Sequence, residues 1–129
     1  MIVLDTHAWV WWAGETGHLS RTAAAEIAEA EQIGVCTISC WEVAMLVARR
    51  RLELKPDVET WVAAALALPR VAELRLDART ATRAGALDRD SFPGDPADRI
   101  VYATAVECGA RLLSRDTDIA AFDAARVVW

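Results

Sequence analysis

The sequence is poor in the residues that build disulfide frames and zinc sites. Among 129 residues it has three cysteines and two histidines. A small, odd number of cysteines is typical of a reducing compartment, so we expect free thiols and a cytoplasmic protein. Cys36 and Cys40 have no second Cys or His pair nearby. We therefore interpret them as buried structural residues rather than zinc ligands.

Long apolar runs are also missing. The longest, HAWVWWAG (residues 7–14) and WVAAALAL (61–68), fall well short of the roughly 20 residues that a membrane-spanning helix needs. The N-terminus lacks the basic region of a signal peptide, and Asp5 interrupts the first apolar run. The sequence therefore predicts neither a membrane segment nor a secretory leader.

Positive charge is scarce, with a net charge of −5 and Lys55 as the only lysine. This excludes a protein that coats nucleic acid through a basic face, although an enzyme that binds nucleic acid locally remains compatible. Glycine-rich phosphate loops of the GxxxxGK[ST] and GxGxxG types are absent. His7 stands where a haloacid-dehalogenase-type phosphatase would have its second aspartate. A phosphoacceptor receiver domain would need a lysine after the last strand, and none is there.

Apolar residues, in contrast, are plentiful at 54%, and they include six tryptophans. A chain of this length is expected to form one domain over residues 1–129 that buries roughly two-thirds of its unfolded surface. Three of the tryptophans lie in the segment WVWW (residues 9–12). They indicate either a tryptophan-rich core or an apolar surface that a partner covers, and the sequence leaves both interpretations open.

Short apolar runs alternate with helical patterns along the whole chain. This alternation predicts an α/β fold, with a central parallel sheet of about five strands flanked by helices. The expected strands cover residues 1–4, 32–38, 70–76, 111–114 and 126–129. The expected helices cover residues 6–15, 19–31, 39–54, 56–69 and 77–88, then a loop from 92 into a helix ending at 109, and a short helical turn within 115–125.

Four acidic residues stand near the ends of these strands. Asp5 follows the first strand, and Glu42 lies one turn into the helix after the second. Asp98 opens the helix before the fourth strand, and Asp116 follows that strand. Ligands of open α/β sheets bind outside the carboxyl ends of the strands, so we expect these four side chains to lie together at one edge.

Each acid taken singly also has a structural interpretation as a helix cap. Asp5 and Asp116 each precede a predicted helix, and Ser39 with Glu42 matches a capping box. For any one of them, capping is the favoured interpretation, because carboxylates at helix N-termini also gain from the helix dipole.

The four acids taken together favour a metal site. Converging carboxylates repel and raise one another's pKa values, and a divalent cation relieves that repulsion. Oxygen ligands without His or Cys indicate a hard ion, Mg²⁺ or Mn²⁺. In the segment GDPADRIVYATA (residues 94–105) we interpret Asp95 as the cap, Pro96 as the first helical residue and Asp98 as the ligand.

Five segments, taken in order, resemble the PIN-domain ribonucleases, and in particular the VapC-type toxins of prokaryotic toxin–antitoxin operons. They are IVLDTHAWVWW, LSRTAAAEI, VCTISCWEVAMLVARRRLEL, GDPADRIVYATA and LLSRDTDI, and the chain closes on a similar RVVW. The resemblance covers essentially the whole chain. It implies a PIN-like three-layer fold and a Mg²⁺- or Mn²⁺-dependent endoribonuclease.

The resemblance also implies roles for the acids. Asp5 and Asp98 match the residues expected to hold the metal directly, whereas Glu42 and Asp116 match those that act through water or a second ion. Asp95 and Asp118 are auxiliary at most.

In the reaction implied by the resemblance, a water molecule activated by the metal attacks an RNA phosphodiester. Asp116 or Glu42 helps to remove its proton, and the products carry a 5′-phosphate and a 3′-hydroxyl. Thr6 and Ser39 are candidates to hydrogen-bond the carboxylates or the substrate, with backbone capping as the alternative. Arg99 is either a phosphate contact or a solvated arginine near the helix start.

Partners follow from the resemblance as well. Such toxins form dimers and are silenced by an antitoxin that packs into an apolar groove and extends a basic residue to the acidic site. We therefore expect a cognate antitoxin near Trp9, Trp12 and Trp41, in a homodimer or a toxin–antitoxin hetero-oligomer. Two alternatives remain: a stand-alone PIN-like nuclease in RNA processing, and a non-catalytic binding module whose acids are only caps.

Overall fold

Five short parallel strands form the centre of the molecule. The computed structural model describes residues 1–129 and places the strands in the order β3-β2-β1-β4-β5. Residues of β1 and β2 are buried throughout, as expected for a parallel sheet with helices on both faces. The predicted α/β architecture is thereby confirmed. The strands are β1 Ile2–Leu4, β2 Ile33–Cys36, β3 Val71–Leu74, β4 Arg111–Leu113 and β5 Val127–Val128.

Seven helices connect the strands and cover the sheet. Ser20 caps the start of α2, where its side chain accepts a hydrogen bond from the Ala23 N–H. No helix combines the length and apolar character that crossing a membrane would require. The helices are α1 Thr6–Ala13, α2 Arg21–Glu29, α3 Thr37–Ala48, α4 Val58–Leu66, α5 Ala78–Ala86, α6 Pro96–Glu107 and α7 Thr117–Phe122.

The core lies on both faces of the sheet because successive side chains of a strand point to opposite faces. Ile2 and Leu4 of β1 belong to one cluster of buried residues, and Val3 between them belongs to the other. The second cluster contains Phe92 and Tyr102, whose ring centroids lie 5.2 Å apart. Both faces of β1 are thus fully packed, which fixes its carboxyl end.

The tryptophans divide between core and surface. Trp9 is fully buried and packs edge-on against Trp61 at 5.1 Å, and Trp12 packs partly buried against the same cluster. Trp41, in contrast, is 57% exposed. The expectation that Trp9 and Trp12 contribute to a partner surface is therefore wrong for Trp9, which the core covers completely, and only Trp41 is largely free.

Helix α3 differs from its predicted span of residues 39–54. It begins at Thr37 because β2 runs into it without a loop, so Ser39 lies inside the first turn rather than at the cap. The predicted capping box of Ser39 and Glu42 is wrong. The helix ends at Ala48 because Arg50 takes a left-handed conformation (φ 56°), and the Arg51 N–H bonds to the Leu46 carbonyl at 2.9 Å.

Candidate active-site cleft

A cleft opens at the carboxyl ends of β1 and β4, where the strand order reverses direction. From β1 the chain continues outward through β2 and β3 on one side, whereas β4 and β5 extend on the other. Such a switch point leaves a crevice between neighbouring strand ends, and ligands of open α/β sheets bind there. The cleft has a volume of about 380 Å³ and is lined by Asp5, Thr6, His7, Trp11, Glu42, Asp95, Asp98, Arg115, Asp116, Thr117 and Asp118. All four acids predicted from the sequence therefore face one space.

Asp5 and Asp116 reach the cleft because each follows a strand, β1 or β4, and caps the next helix. The Oδ1 atom of Asp5 accepts a hydrogen bond from the Ala8 N–H at 2.7 Å. The Oδ1 atom of Asp116 accepts from the N–H groups of Asp118 at 2.8 Å and Ile119 at 3.0 Å. These bonds satisfy helix N-termini and hold both carboxyl groups in fixed positions.

Asp98 reaches the cleft from the first turn of α6. Asp95 caps this helix, its Oδ1 atom accepting from the Asp98 N–H at 3.0 Å, and Pro96 is the first helical residue, as the sequence predicts. Gly94 lies against this turn, where an added Cβ would be 2.7 Å from Phe92 Cε1 and 3.1 Å from Asp98 Cβ. A larger residue at position 94 would therefore have to displace the buried ring of Phe92 or the first turn of α6.

Glu42 faces the cleft from the second turn of α3. Its Oε1 atom accepts a short hydrogen bond from the hydroxyl group of Thr6, a buried residue in the first turn of α1. This bond joins two helices and orients the carboxylate, so Thr6 is one of the two hydroxyl residues predicted to contact the acids. Ser39 is not: it is fully buried, and its hydroxyl has no hydrogen-bond partner in the structure.

Burial and the charges of neighbouring acids raise the pKa values of three of the four acids. The pKa of Asp98 is raised to about 7, mainly by burial and further by the charges of Asp95, Glu42 and Asp116. Burial is also the main cause that raises the pKa of Asp5, against the lowering effect of a hydrogen bond with Ser114. The carboxyl groups therefore interact electrostatically.

Burial raises the pKa of Glu42 as well, with a smaller opposing effect from its hydrogen bond with Thr6. The charge of Asp95 adds to the increase. Three of the four predicted acids thus have pKa values above their ordinary range, which is a frequent property of functional sites.

The donor set of the cleft fits a hard divalent cation. It consists mainly of carboxylates, with the imidazole of His7 and no thiol, and cations such as Mg²⁺ bind through one or two carboxylates while keeping several waters. No three Asp, Glu, His or Cys side chains converge closely enough in the structure to enclose an ion by themselves.

The family of the chain follows from its sequence. The family model for the PIN domain matches residues 2–125. The chain belongs to the PIN-domain family. A curated relative, Ribonuclease VapC22 of Mycobacterium tuberculosis (strain ATCC 25618 / H37Rv), is 39% identical over 119 residues, covering 89% of this chain and 86% of the relative. The predicted resemblance to VapC-type PIN ribonucleases is confirmed.

Solved structures share this PIN fold at lower identity. M. tuberculosis VapC20, described as a sarcin-ricin loop cleaving toxin, superposes with a TM-score of 0.68 at 21% identity, covering 99% of this chain and 97% of VapC20. VapBC2 from Rickettsia felis, bound to a promoter DNA fragment, superposes with a TM-score of 0.70 at 15% identity, covering 99% of this chain and 98% of the R. felis chain. A toxin-antitoxin complex from Klebsiella pneumoniae superposes with a TM-score of 0.68 at 22% identity, covering 100% of this chain and 97% of the K. pneumoniae chain.

Arg99 of this PIN domain is not among the residues that line the acidic cleft, and its side chain is neither at the cleft nor solvated, the two positions that the sequence left open. Its guanidinium donates hydrogen bonds to the carbonyl oxygens of Ala84 at 3.1 Å, Phe92 at 2.9 Å and Leu87. These bonds tie the end of α5 and the following loop to α6. A basic residue next to a catalytic acid looks the same in sequence whether it binds substrate or backbone.

Sequence reasoning also missed residues that line the cleft, above all Trp11 and Arg115. Trp11 was considered only as part of an apolar surface or core. Trp11 lies four residues after His7 on α1, so the two side chains share one face of the helix. Because His7 lies in the first turn of α1, which Asp5 caps, this spacing indicates that Trp11 lies on the side of the helix that faces Asp5.

Proposed function

We propose that this PIN-domain chain is a metal-dependent endoribonuclease that hydrolyses RNA phosphodiesters in the acidic cleft. The observation that carries the proposal is the convergence of Asp5, Glu42, Asp98 and Asp116 at the switch point of the sheet. The name of the 39% identical relative, a ribonuclease, supports RNA as the substrate.

Asp5 and Asp98 are proposed to hold the metal, Mg²⁺ or Mn²⁺, directly. Both line the crevice beside β1, and a bound cation would offset the burial and the neighbouring negative charges that raise the pKa of Asp98. Glu42 and Asp116 act through water molecules or a second ion. A divalent cation bound here would withdraw electron density from the scissile phosphate and acidify a water molecule.

The side chains of the cleft supply the remaining steps. Glu42 or Asp116 accepts a proton from the attacking water, whose oxygen forms a bond to phosphorus. The bond from phosphorus to the 3′-oxygen breaks, and that oxygen takes up a proton. The products carry a 5′-phosphate and a 3′-hydroxyl. Thr6 holds the Glu42 carboxylate in one orientation, which keeps it ready to accept the proton.

The second part of the proposal is a toxin that a cognate antitoxin silences, in a homodimer or a hetero-oligomer of a type II toxin–antitoxin system. Structures described as a toxin-antitoxin complex and as VapBC2 share the fold and support this assignment. Trp41 exposes apolar area outside the cleft. An RNA substrate and three free cysteines support action in the cytoplasm.

Cleavage of cellular RNA with and without Mg²⁺ tests the enzyme. The wild type is expected to cleave RNA only when the metal is present. Asp98→Asn keeps the shape of the side chain but loses its charge. Its cleavage rate is expected to fall at least about 100-fold, as for loss of a charge contact in the transition state. Asp90→Asn, an exposed acid outside the cleft, is the matched control. Equal cleavage by a folded Asp98→Asn protein would sink the assignment.

Expression in cells tests the toxin. Growth arrest on induction, relieved by co-expression of a small protein encoded beside it, is the expected result. Growth arrest that persists with Asp98→Asn would show that toxicity does not depend on cleavage.

A further inference from the structure

One wall of the acidic cleft is aromatic. Trp11 is the only hydrophobic residue among those that line it, and its indole is half-buried. Its ring centroid lies 5.7 Å from His7 and 5.5 Å from His18, and 5.6 Å from Trp129 at the end of the chain. Three tilted aromatic neighbours therefore hold the indole at the edge of a site that is otherwise polar.

A single cation accompanies this ring. The guanidinium carbon of Arg115 lies 5.1 Å from the ring centroid of Trp11, within the range of a cation–π contact. Arg115 is exposed and is the only lysine or arginine that lines the cleft. It forms no salt bridge with a carboxylate, although Asp116 is its neighbour in sequence. Its charge is therefore available to a ligand.

The negative charge of this protein gives little electrostatic attraction to a polyanion such as RNA. The net charge is −5, and six carboxylates line the cleft against one arginine. Contacts with the bases can then supply affinity that the charge of the protein does not, and aromatic side chains stack on unpaired bases of any sequence. Bases within a duplex are already stacked and do not offer their faces.

We infer that Trp11 and Arg115 form a stacking ledge that binds one unpaired base of the RNA beside the scissile phosphate. This inference rests on the proposed ribonuclease function. The base stacks on the ledge, and the guanidinium of Arg115 contacts the adjoining phosphate. Because Arg115 directly precedes Asp116, a bound base would place the backbone next to the acids.

Binding of a 12-nucleotide oligouridine tests the ledge, measured by fluorescence anisotropy in the Asp98→Asn background with Mn²⁺. The comparison probes are a 12-nucleotide abasic strand of equal charge and a 12-base-pair RNA duplex. Removing the bases is expected to cost about tenfold in affinity or more, the range of a lost base–aromatic stack. The duplex is expected to bind as weakly as the abasic strand.

Variants assign that loss to the ledge. With Trp11→Leu, oligouridine is expected to bind no better than the abasic strand, whereas Trp11→Phe retains most of the difference. Arg115→Ala is expected to weaken the binding of oligouridine and of the abasic strand equally, and to reduce the salt dependence of binding by about one phosphate contact. Arg75→Ala, at an exposed arginine outside the cleft, is the control and should change neither property.

Equal binding of oligouridine and abasic strand by the Trp11-containing protein overturns the inference, whatever the variants do. So does a base dependence that survives in Trp11→Leu. The outcome is separable from the proposed function: RNA cleavage with base-independent binding removes the ledge alone, and base-dependent binding without metal-dependent cleavage removes the ribonuclease alone.

Discussion

At the residue scale, a carboxyl group of the cleft can cap a helix and serve a metal site at the same time. Asp5 and Asp116 each use Oδ1 for capping bonds to backbone N–H groups. Each carboxylate has a second oxygen with its own lone pairs. The two interpretations that the sequence offers for these residues are therefore compatible, and capping fixes the side chains that the proposed metal would use.

Substitution of Thr6 tests the orientation of the Glu42 carboxylate without changing the charge of the cleft. Thr6→Val keeps the volume and removes the hydroxyl that donates to Glu42. Without that bond the Glu42 carboxylate turns more freely and its pKa rises, because the bond lowers it in the wild type. We expect about a 10-fold loss in cleavage rate, as for other residues that orient a metal site. Rates at saturating Mg²⁺ and across pH measure this effect.

The conservative variant Thr6→Ser is the control for this prediction. It restores the hydroxyl group and should recover most of the rate. A Thr6→Val protein with the rate and pH profile of the wild type would mean that Glu42 needs no orientation.

At the element scale, the start of α6 has two functions that substitution at Asp95 separates. Asp95 caps the helix through Asp98 N–H, and its charge raises the Asp98 pKa. Asp95→Ser keeps the cap and removes the charge, so the Asp98 pKa should fall with little change in stability. Asp95→Ala loses both, and stability should decrease by about 1 kcal/mol. Urea unfolding together with titration of Asp98 by NMR measures the two effects. Equal stability of the Ser and Ala variants would contradict capping by Asp95.

Arg99 connects α6 to the end of α5. Arg99→Met keeps the aliphatic stem and removes three hydrogen bonds to backbone carbonyls. We expect a decrease of about 2–3 kcal/mol in unfolding free energy, since buried carbonyls lose a charged donor. Arg89→Met, in the same loop and exposed, should stay within about 0.5 kcal/mol. Urea unfolding decides the matter. An Arg99→Met protein of normal stability but weakened RNA binding would instead support the phosphate contact.

The elements themselves are largely readable from the sequence, and the errors have physical causes. Strands and helices alternate as predicted because buried parallel strands are short apolar runs. Helix α3 was misplaced at both ends. No turn residue separates β2 from it, and its C-terminus depends on a left-handed arginine, Arg50, where a glycine would have been recognisable.

The site is predictable only as far as chain position determines it. Asp5 and Asp116 follow β1 and β4, and Asp98 lies in the first turn of the helix that leads into β4, so the topology brings all three to one edge of the sheet. The direction of Arg99 depends on which carbonyl groups α5 and its loop present, and that is a tertiary property. The position of Trp11 beside Arg115 likewise requires the fold.

At the scale of the whole molecule, the acidic cleft destabilises the metal-free chain. The pKa of Asp98 is about 7 in the folded protein and 3.8 as its ordinary value, so the folded state binds more protons between these values. Stability is then highest at the acidic end of this window and falls as pH rises through about 7. Asp5 and Glu42, whose pKa values are also raised, act in the same direction.

Thermal melting in EDTA measures this cost. We expect the wild type to melt at a lower temperature at pH 8 than at pH 5.5, and Asp98→Asn, which carries no charge there, to melt above the wild type at pH 8. The capping acids Asp57, Asp77 and Asp88 do not obscure the trend, because their lowered pKa values confine their effect to more acidic solution. A melting temperature that rises from pH 5.5 to 8 would contradict the electrostatic account.

Addition of Mg²⁺ or Mn²⁺ at pH 8 completes the argument, because an ion that binds only the folded chain stabilises it in proportion to the logarithm of its concentration over the dissociation constant. The wild type should regain at least the stability that it loses between pH 5.5 and 8. Asp98→Asn lacks the charge that repels the neighbouring acids, so it loses less stability at pH 8 and has less to regain. It also binds the ion more weakly. A shift of equal size in both proteins would mean that the ion binds elsewhere, and the repulsion within the cleft would then serve no metal.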